Sequence, residues 1–85
     1  MSDTVTVLYF AALREQIGRG SETVALVPAV QTVKDFLTMR CQEDADFETV
    51  FSRSSRVRVA VNKVMGDLST PIHAGDELAF FPPMT

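Results

Sequence analysis

The residues that could act as a nucleophile and its base are few in this sequence of 85 residues: one cysteine, Cys41, and one histidine, His73. A catalytic pair would need the Cys41 thiol to lie exposed beside the imidazole. Cys41 instead falls on the apolar stripe of a predicted helix, where thiols are usually inert, and His73 falls in a predicted turn. We therefore expect Cys41 to pack towards the core, and we expect no catalysis by this chain alone.

Other patterns of catalytic or ligand-binding residues are equally weak. Glu43, Asp44 and Asp46 are expected to form a solvated loop rather than a paired acid and base. One histidine and one cysteine cannot build a metal site, and the Gly-Arg-Gly stretch at residues 18–20 is too short for a phosphate cradle. We expect no bound cofactor.

The charge pattern argues against a nucleic-acid partner, because the net charge is −3 and there is no basic stripe. Only Arg53, Arg56 and Arg58 lie close together in the sequence. Arg56 and Arg58 share one face of a predicted strand. There they either meet an acidic partner or are simply solvated.

The sequence predicts a cytoplasmic protein. A single cysteine excludes an internal disulfide, which fits a reducing compartment. The apolar runs are shorter than a membrane span, and residues 1–4 lack the charged and apolar regions of a signal peptide. We expect no membrane partner.

The end of the sequence carries the most distinctive pattern. A turn signal at residues 75–76 precedes an alternating strand over residues 77–81. Two prolines follow, which cannot donate ladder hydrogen bonds and which hold the chain extended. The predicted tail covers residues 82–85, and it is either a frayed terminus or a peptide presented to a partner. With the last strand residue, this segment comprises Phe81, Pro82, Pro83, Met84 and Thr85.

The remaining elements follow from periodicity and turn signals, and they form one domain over residues 1–81. The fold class is α+β: a mixed sheet of about five strands with one main helix, capped by Thr32, packed on one face. The predicted order is a strand over 4–10, a short helix ending at Ile17, a strand over 22–27, the main helix over 33–41, a helical turn over 47–51, and strands over 56–62, 64–65 and 77–81.

Alternation along the strands leaves one face of this sheet uncovered. If alternate residues of the first and last strands line the core, the side chains of Leu8, Phe10 and Phe81 point the other way, with Met65 nearby. Exposed aromatic and methionine side chains mark partner surfaces. We therefore predict a partner interface at Leu8, Phe10, Met65 and Phe81. The alternative is that sheet twist or a loop covers these residues.

Three blocks of the sequence resemble the small subunit of molybdopterin synthase. The blocks are residues 7–15 (VLYFAALRE), 59–62 (VAVN) and 75–83 (GDELAFFPP), and the last is the most specific. The resemblance covers essentially the whole chain in the same order. It implies the ubiquitin-like β-grasp fold, which agrees with the predicted order of elements.

The resemblance also implies a function, that of the sulfur-donor subunit of a sulfurtransferase complex in molybdenum cofactor biosynthesis. In the family, a C-terminal Gly-Gly carboxylate is adenylated with ATP by a partner resembling the ubiquitin-activating enzyme, and it then becomes a thiocarboxylate. The large subunit of the synthase takes in the tail, and sulfur passes to a pterin precursor. Two small and two large subunits form a heterotetramer. By position, Phe10, Met65 and Phe81 would contact the partners, and residues 81–85 would form the inserted tail.

The sequence departs from the family at Thr85, where the family continues with two glycines. A terminal glycine offers an unhindered carboxylate, whereas threonine is branched beside the reacting carbon. We expect a chain ending at Thr85 to bind the partners without carrying sulfur. Continuation beyond Thr85, processing and a degenerate relative all remain open. Two other functions also remain open: a β-grasp binding module that never carries sulfur, and the related carrier for thiamine thiazole synthesis, which is typically shorter and lacks the Phe-Phe-Pro-Pro stretch.

Overall fold

The computed structural model describes residues 3–53 and 57–82. Within these residues the chain forms a mixed sheet and helices, so the predicted α+β class is confirmed. The helices are α1 (Ala11–Ile17), α2 (Val33–Glu43) and α3 (Ala45–Arg53). The strands are β1 (Thr4–Tyr9), β2 (Ser21–Ala25), β3 (Arg58–Val61), β4 (Val64–Gly66) and β5 (Glu77–Phe81).

The last strand lies in the middle of the sheet. The strand order is β2-β1-β5-β3-β4, with β5 parallel to β1 and antiparallel to β3. Hydrogen bonds therefore hold β5 along both of its edges. The end of the domain leaves the sheet from its centre, beside the end of β1.

The core lies between one face of the sheet and the helices. Val7 and Leu78 are fully buried side by side on β1 and β5, as the alternation predicted. The ring of Phe80 packs against the ring of Phe36 on α2, with centroids 6.4 Å apart, and edge-on against Phe51 on α3, at 5.2 Å. This packing fixes which face of β5 points inward.

Local signals in the sequence set the ends of the helices. Thr32 and Asp35 form a capping box at the start of α2, in which each side chain accepts a hydrogen bond from the other residue's backbone N–H. Gly18 ends α1 at a φ of 88°, in the left-handed region that glycine adopts without strain. Both ends were predicted.

Several predicted strand boundaries were wrong. β2 runs from Ser21 to Ala25 instead of over residues 22–27, because its ladder partner β1 begins at Thr4, opposite Ala25. β1 stops at Tyr9, one residue early, since Phe10 is the N-cap of α1. The third main strand was predicted over residues 56–62, but Val57 precedes the strand, which runs from Arg58 to Val61; the predicted first residue, Arg56, lies outside the described residues.

The solvated loop predicted for Glu43, Asp44 and Asp46 was also wrong. α2 continues to Glu43 and α3 begins at Ala45, so only Asp44 separates the two helices. The Asp44 carboxylate accepts hydrogen bonds from the backbone N–H groups of Asp46 (3.0 Å) and Phe47 (3.3 Å). Asp44 therefore caps α3 instead of lying in a solvated loop.

Candidate docking surface and tail root

The sheet face opposite the helices carries a row of apolar side chains. Leu8, Ala79, Ala60 and Met65 are register partners across β1, β5, β3 and β4. The small side chains of the two alanines in the middle of the row are buried, while Met65 at its end is 56% exposed. We call this face, with Phe10 and Phe81, the outer face. The sequence predicted that these side chains share a face, and their role in binding a partner stays a prediction.

Two aromatic rings stack at the end of the outer face. The Phe10 ring lies on the Phe81 ring, with centroids 4.8 Å apart and an angle of 12° between the planes. The backbone N–H of Phe10 donates to the carbonyl of Phe80 at 3.2 Å. Phe10 nevertheless remains 42% exposed. The stack holds the last residue of β5 and leaves an aromatic surface open to a partner.

The tail begins directly beside this stack. Pro82 is half-buried and follows β5 without belonging to the strand. The other predicted tail residues, Pro83, Met84 and Thr85, lie outside the described residues. The extended tail over residues 82–85 therefore stays a prediction.

A shallow groove continues the outer face beyond β1. It has a volume of about 350 Å³, and its lining includes Leu8, Phe10, Arg14 and Gly20. The Arg14 side chain lies close over Gly20, where an added Cβ would come within 3.1 Å of the arginine Nε. Because Gly20 has no side chain, the Arg14 side chain can lie in this groove together with Leu8 and Phe10. This groove was not predicted from the sequence.

Cys41 and His73, the candidates for nucleophilic chemistry, are not brought together. Cys41 is half-buried on α2, where it packs against the core cluster, and burial raises the pKa of its thiol. The His73 side chain is 78% exposed, and in the part of the chain that the structure describes its one polar side-chain contact is with Asp76, 3.8 Å away. Across residues 3–53 and 57–82, no group of three or more His, Cys, Asp or Glu side chains is placed to hold a metal ion.

A charged cluster on the helix side of the sheet was missed by sequence reasoning. Arg40 on α2 donates from Nη2 to both carboxylate oxygens of Glu22 on β2, at 3.1 and 3.2 Å. The Tyr9 hydroxyl donates to the same carboxylate. Arg19 bridges Glu22 and Asp44, with both contacts at 3.1 Å. The cluster joins the antiparallel pair of β1 and β2 to the two long helices.

Burial and hydrogen bonding perturb the protonation of this cluster. Burial, reinforced by the bond to Glu22, raises the pKa of the Tyr9 hydroxyl. The backbone N–H of Phe47, together with Arg19, lowers the pKa of the Asp44 carboxyl. The Arg40 side chain is only 11% exposed and also lies over the ring of Phe47, 5.3 Å from its centroid. These groups are engaged with one another, so we assign the cluster to stability.

None of the helices in the described ranges has the length and apolar character needed to cross a bilayer.

Comparison with known proteins adds to this geometry. Residues 7–85 match the model of the ThiS family. The chain is 30% identical over 82 residues to the molybdopterin synthase sulfur carrier subunit of Escherichia coli (strain K12), covering 95% of this chain and 96% of the relative. It is 36% identical over 78 residues to the protein of the same name from Mycobacterium tuberculosis, covering 92% and 90%.

A solved structure confirms the fold. The chain superposes on the H. volcanii small archaeal modifier protein 1 with a TM-score of 0.75 and 28% identity, over 95% of this chain and 98% of that one. The predicted ubiquitin-like β-grasp fold is thereby confirmed. With a family model matched over nearly its whole length and relatives that cover nine-tenths of it or more, the chain belongs to the ThiS family, as a relative of the small subunits of molybdopterin synthase.

Proposed function

We propose that this chain is the sulfur-carrier subunit of a molybdopterin synthase. It carries sulfur as a thiocarboxylate at the end of its tail and donates that sulfur to a pterin precursor in the large subunit. The observation that carries the proposal is the stack of Phe10 on Phe81, which places an exposed apolar surface at the root of the tail. The names of the relatives at 30% and 36% identity support the same function.

The position of β5 suits a carrier. The strand is hydrogen-bonded on both sides, to β1 and to β3, so the root of the tail is fixed relative to the outer face. A partner that binds this face receives the tail from a defined point. Holding the reacting group in a defined place replaces an unfavourable bimolecular encounter by an intramolecular one.

The chemistry belongs to the partners in this proposal. An adenylating enzyme resembling the ubiquitin-activating enzyme uses ATP to activate the C-terminal carboxylate, and the large subunit holds the pterin. Both partners bind the outer face, so they exclude each other. This order of events needs no catalytic side chain on the carrier. The proposed location is the cytoplasm, where a lone thiol such as Cys41 stays reduced.

Two alternative functions would use the same surface: delivery of sulfur to another acceptor, and attachment of the carboxylate to a protein. The ThiS family model fits a carrier for thiazole synthesis, and the likeness to an archaeal modifier fits attachment of the carboxylate to a protein. The Phe-Phe-Pro-Pro stretch that ends β5 favours the synthase.

Reconstitution with the cognate large subunit tests the choice. The chain is extended by Gly-Gly after Thr85, loaded with sulfur, and mixed with the large subunit and the pterin precursor. We expect a stable complex and conversion of the precursor to the dithiolene product. A loaded chain that neither binds the large subunit nor converts the precursor would contradict the synthase assignment and favour another acceptor.

A further inference from the structure

We propose that Arg58 selects the docking partner by pairing with an acidic side chain beside the point where the partner takes in the tail. This inference rests on the proposed function, because it deepens the description of the same docking surface. The partner's surface would then combine an apolar patch for the Phe10 and Phe81 rings with an aspartate or glutamate at its edge.

The position of Arg58 follows from the sheet register. Arg58 on β3 lies directly opposite Phe81 on β5, so both side chains point to the outer face. Arg58 is exposed. Its side chain therefore leaves the sheet beside Phe81, near the root of the tail, and it also lines a shallow depression with Met65 and Asp67.

Arg58 differs in its ion pairing from Arg19 and Arg40, the two arginines of the charged cluster on the helix side. Arg19 and Arg40 are both held by Glu22 and Asp44. Over residues 3–53 and 57–82, no carboxylate pairs with Arg58. Its planar guanidinium is thus free to bind a carboxylate through two parallel hydrogen bonds.

Two side chains of opposite charge lie at opposite ends of the outer face, along the direction of β5. Glu77, at the other end of β5, points to the same face as Phe81 and lies about 13 Å from it along the strand. Arg58 therefore places a positive charge near the tail and Glu77 a negative charge at the far end, while the Asp67 carboxylate near Arg58 accepts hydrogen bonds from Ser69 and Thr70. A partner with the reverse arrangement can dock in only one orientation, with the tail directed towards its active site. A flat apolar face without charges would not determine the orientation in which the partner docks.

Charge reversal with a matched control tests the role of Arg58. Arg58→Glu and Arg58→Leu are compared with Lys34→Glu, which makes the same charge change at an exposed position on α2, away from the outer face. Affinity for the cognate large subunit is measured by calorimetry at about 0.05 M and about 0.5 M salt. Thermal melts establish that each variant is folded.

We expect Arg58→Glu to weaken binding on the order of tenfold at low salt, with a smaller loss at high salt, because an ion pair is screened. Arg58→Leu should weaken binding less, and Lys34→Glu should bind as the unchanged chain does. Unchanged binding by Arg58→Glu, or tighter binding by Arg58→Leu, would overturn the inference while leaving the proposed function intact. If the unchanged chain fails to bind the large subunit, the proposed function fails, and this role of Arg58 falls with it.

Discussion

The aromatic ring of Phe10, the residue directly after β1, lies flat on the ring of Phe81, the last residue of β5. The two residues are far apart in sequence and meet because β1 and β5 are parallel neighbours in the middle of the sheet. Their stack forms a single apolar surface beside the tail. Under the proposed function, this one pair of side chains would link partner binding to delivery of the tail.

Phe81→Asp should weaken binding to the large subunit by about 2 kcal/mol or more, because a carboxylate would be desolvated at an apolar contact without a partner. Val27→Asp is the matched control, since Val27 is an exposed apolar residue in the loop after β2. Calorimetric titration measures both affinities. Equal binding by the Phe81 variant and the control would show that the outer face is not the docking surface.

Local patterns were sufficient to predict several elements of the fold. The bounds of β5, the Thr32 cap and the glycine stop after α1 each follow from a few neighbouring residues. Alternation also assigned Leu8, Phe10 and Phe81 to the face opposite the core. The contact between Phe10 and Phe81 was not predicted, because it depends on the parallel pairing of the first and last strands, which no local signal encodes.

The charged cluster could not be predicted for a similar reason. Tyr9, Glu22 and Arg40 come from three elements, and no spacing in the sequence indicates that they meet. The role of Asp44 did have a signal, because an aspartate before a helical pattern is a typical N-cap. The polar residues around it were interpreted as a break between helices, and the cap was missed.

Arg40→Leu should lower the free energy of unfolding by about 2 kcal/mol, because it leaves the Glu22 carboxylate without its main cationic partner in a largely buried site. Glu43→Gln is the control. Glu43 is 55% exposed and pairs with Arg40 at 3.6 Å, so its loss should change stability by less than about 0.5 kcal/mol. Urea denaturation measures both, and equal effects would contradict a supporting role for the cluster.

Thr32→Ala should destabilise the chain by about 1 kcal/mol, because the backbone N–H of Asp35 loses its side-chain acceptor at the start of α2. Thr38→Ala makes the same substitution at an exposed position inside the helix and should be neutral or slightly stabilising, since alanine has the higher helix propensity. Thermal melts compare the two variants. A loss from Thr38→Ala as large as that from Thr32→Ala would show that the cap is unimportant.

The stability of the fold should fall in acid through Asp44. Hydrogen bonds from the backbone N–H of Phe47 and from Arg19 lower the pKa of this carboxyl below its ordinary value. A lowered pKa in the folded state means that the contribution is present above the unfolded value and is lost as the pH falls through the folded one. We therefore expect a loss of stability below about pH 4.

Urea denaturation across this pH range measures the effect of Asp44. Asp44→Asn should be less stable at neutral pH and should lose less stability in acid than the unchanged chain does. Asp46→Asn, a change at an exposed neighbour, should keep the full loss in acid. Identical pH profiles for Asp44→Asn and the unchanged chain would contradict this assignment.

The intact mass of the chain after sulfur loading tests the central claim most directly. The chain ending at Thr85 and a copy with Gly-Gly after Thr85 are each incubated with ATP, the adenylating enzyme and a sulfur source. We predict that one oxygen is replaced by sulfur in the extended copy alone, because a terminal glycine carboxylate is unhindered. If neither copy changes in mass while a known carrier in the same mixture does, this chain is a binding module and does not carry sulfur.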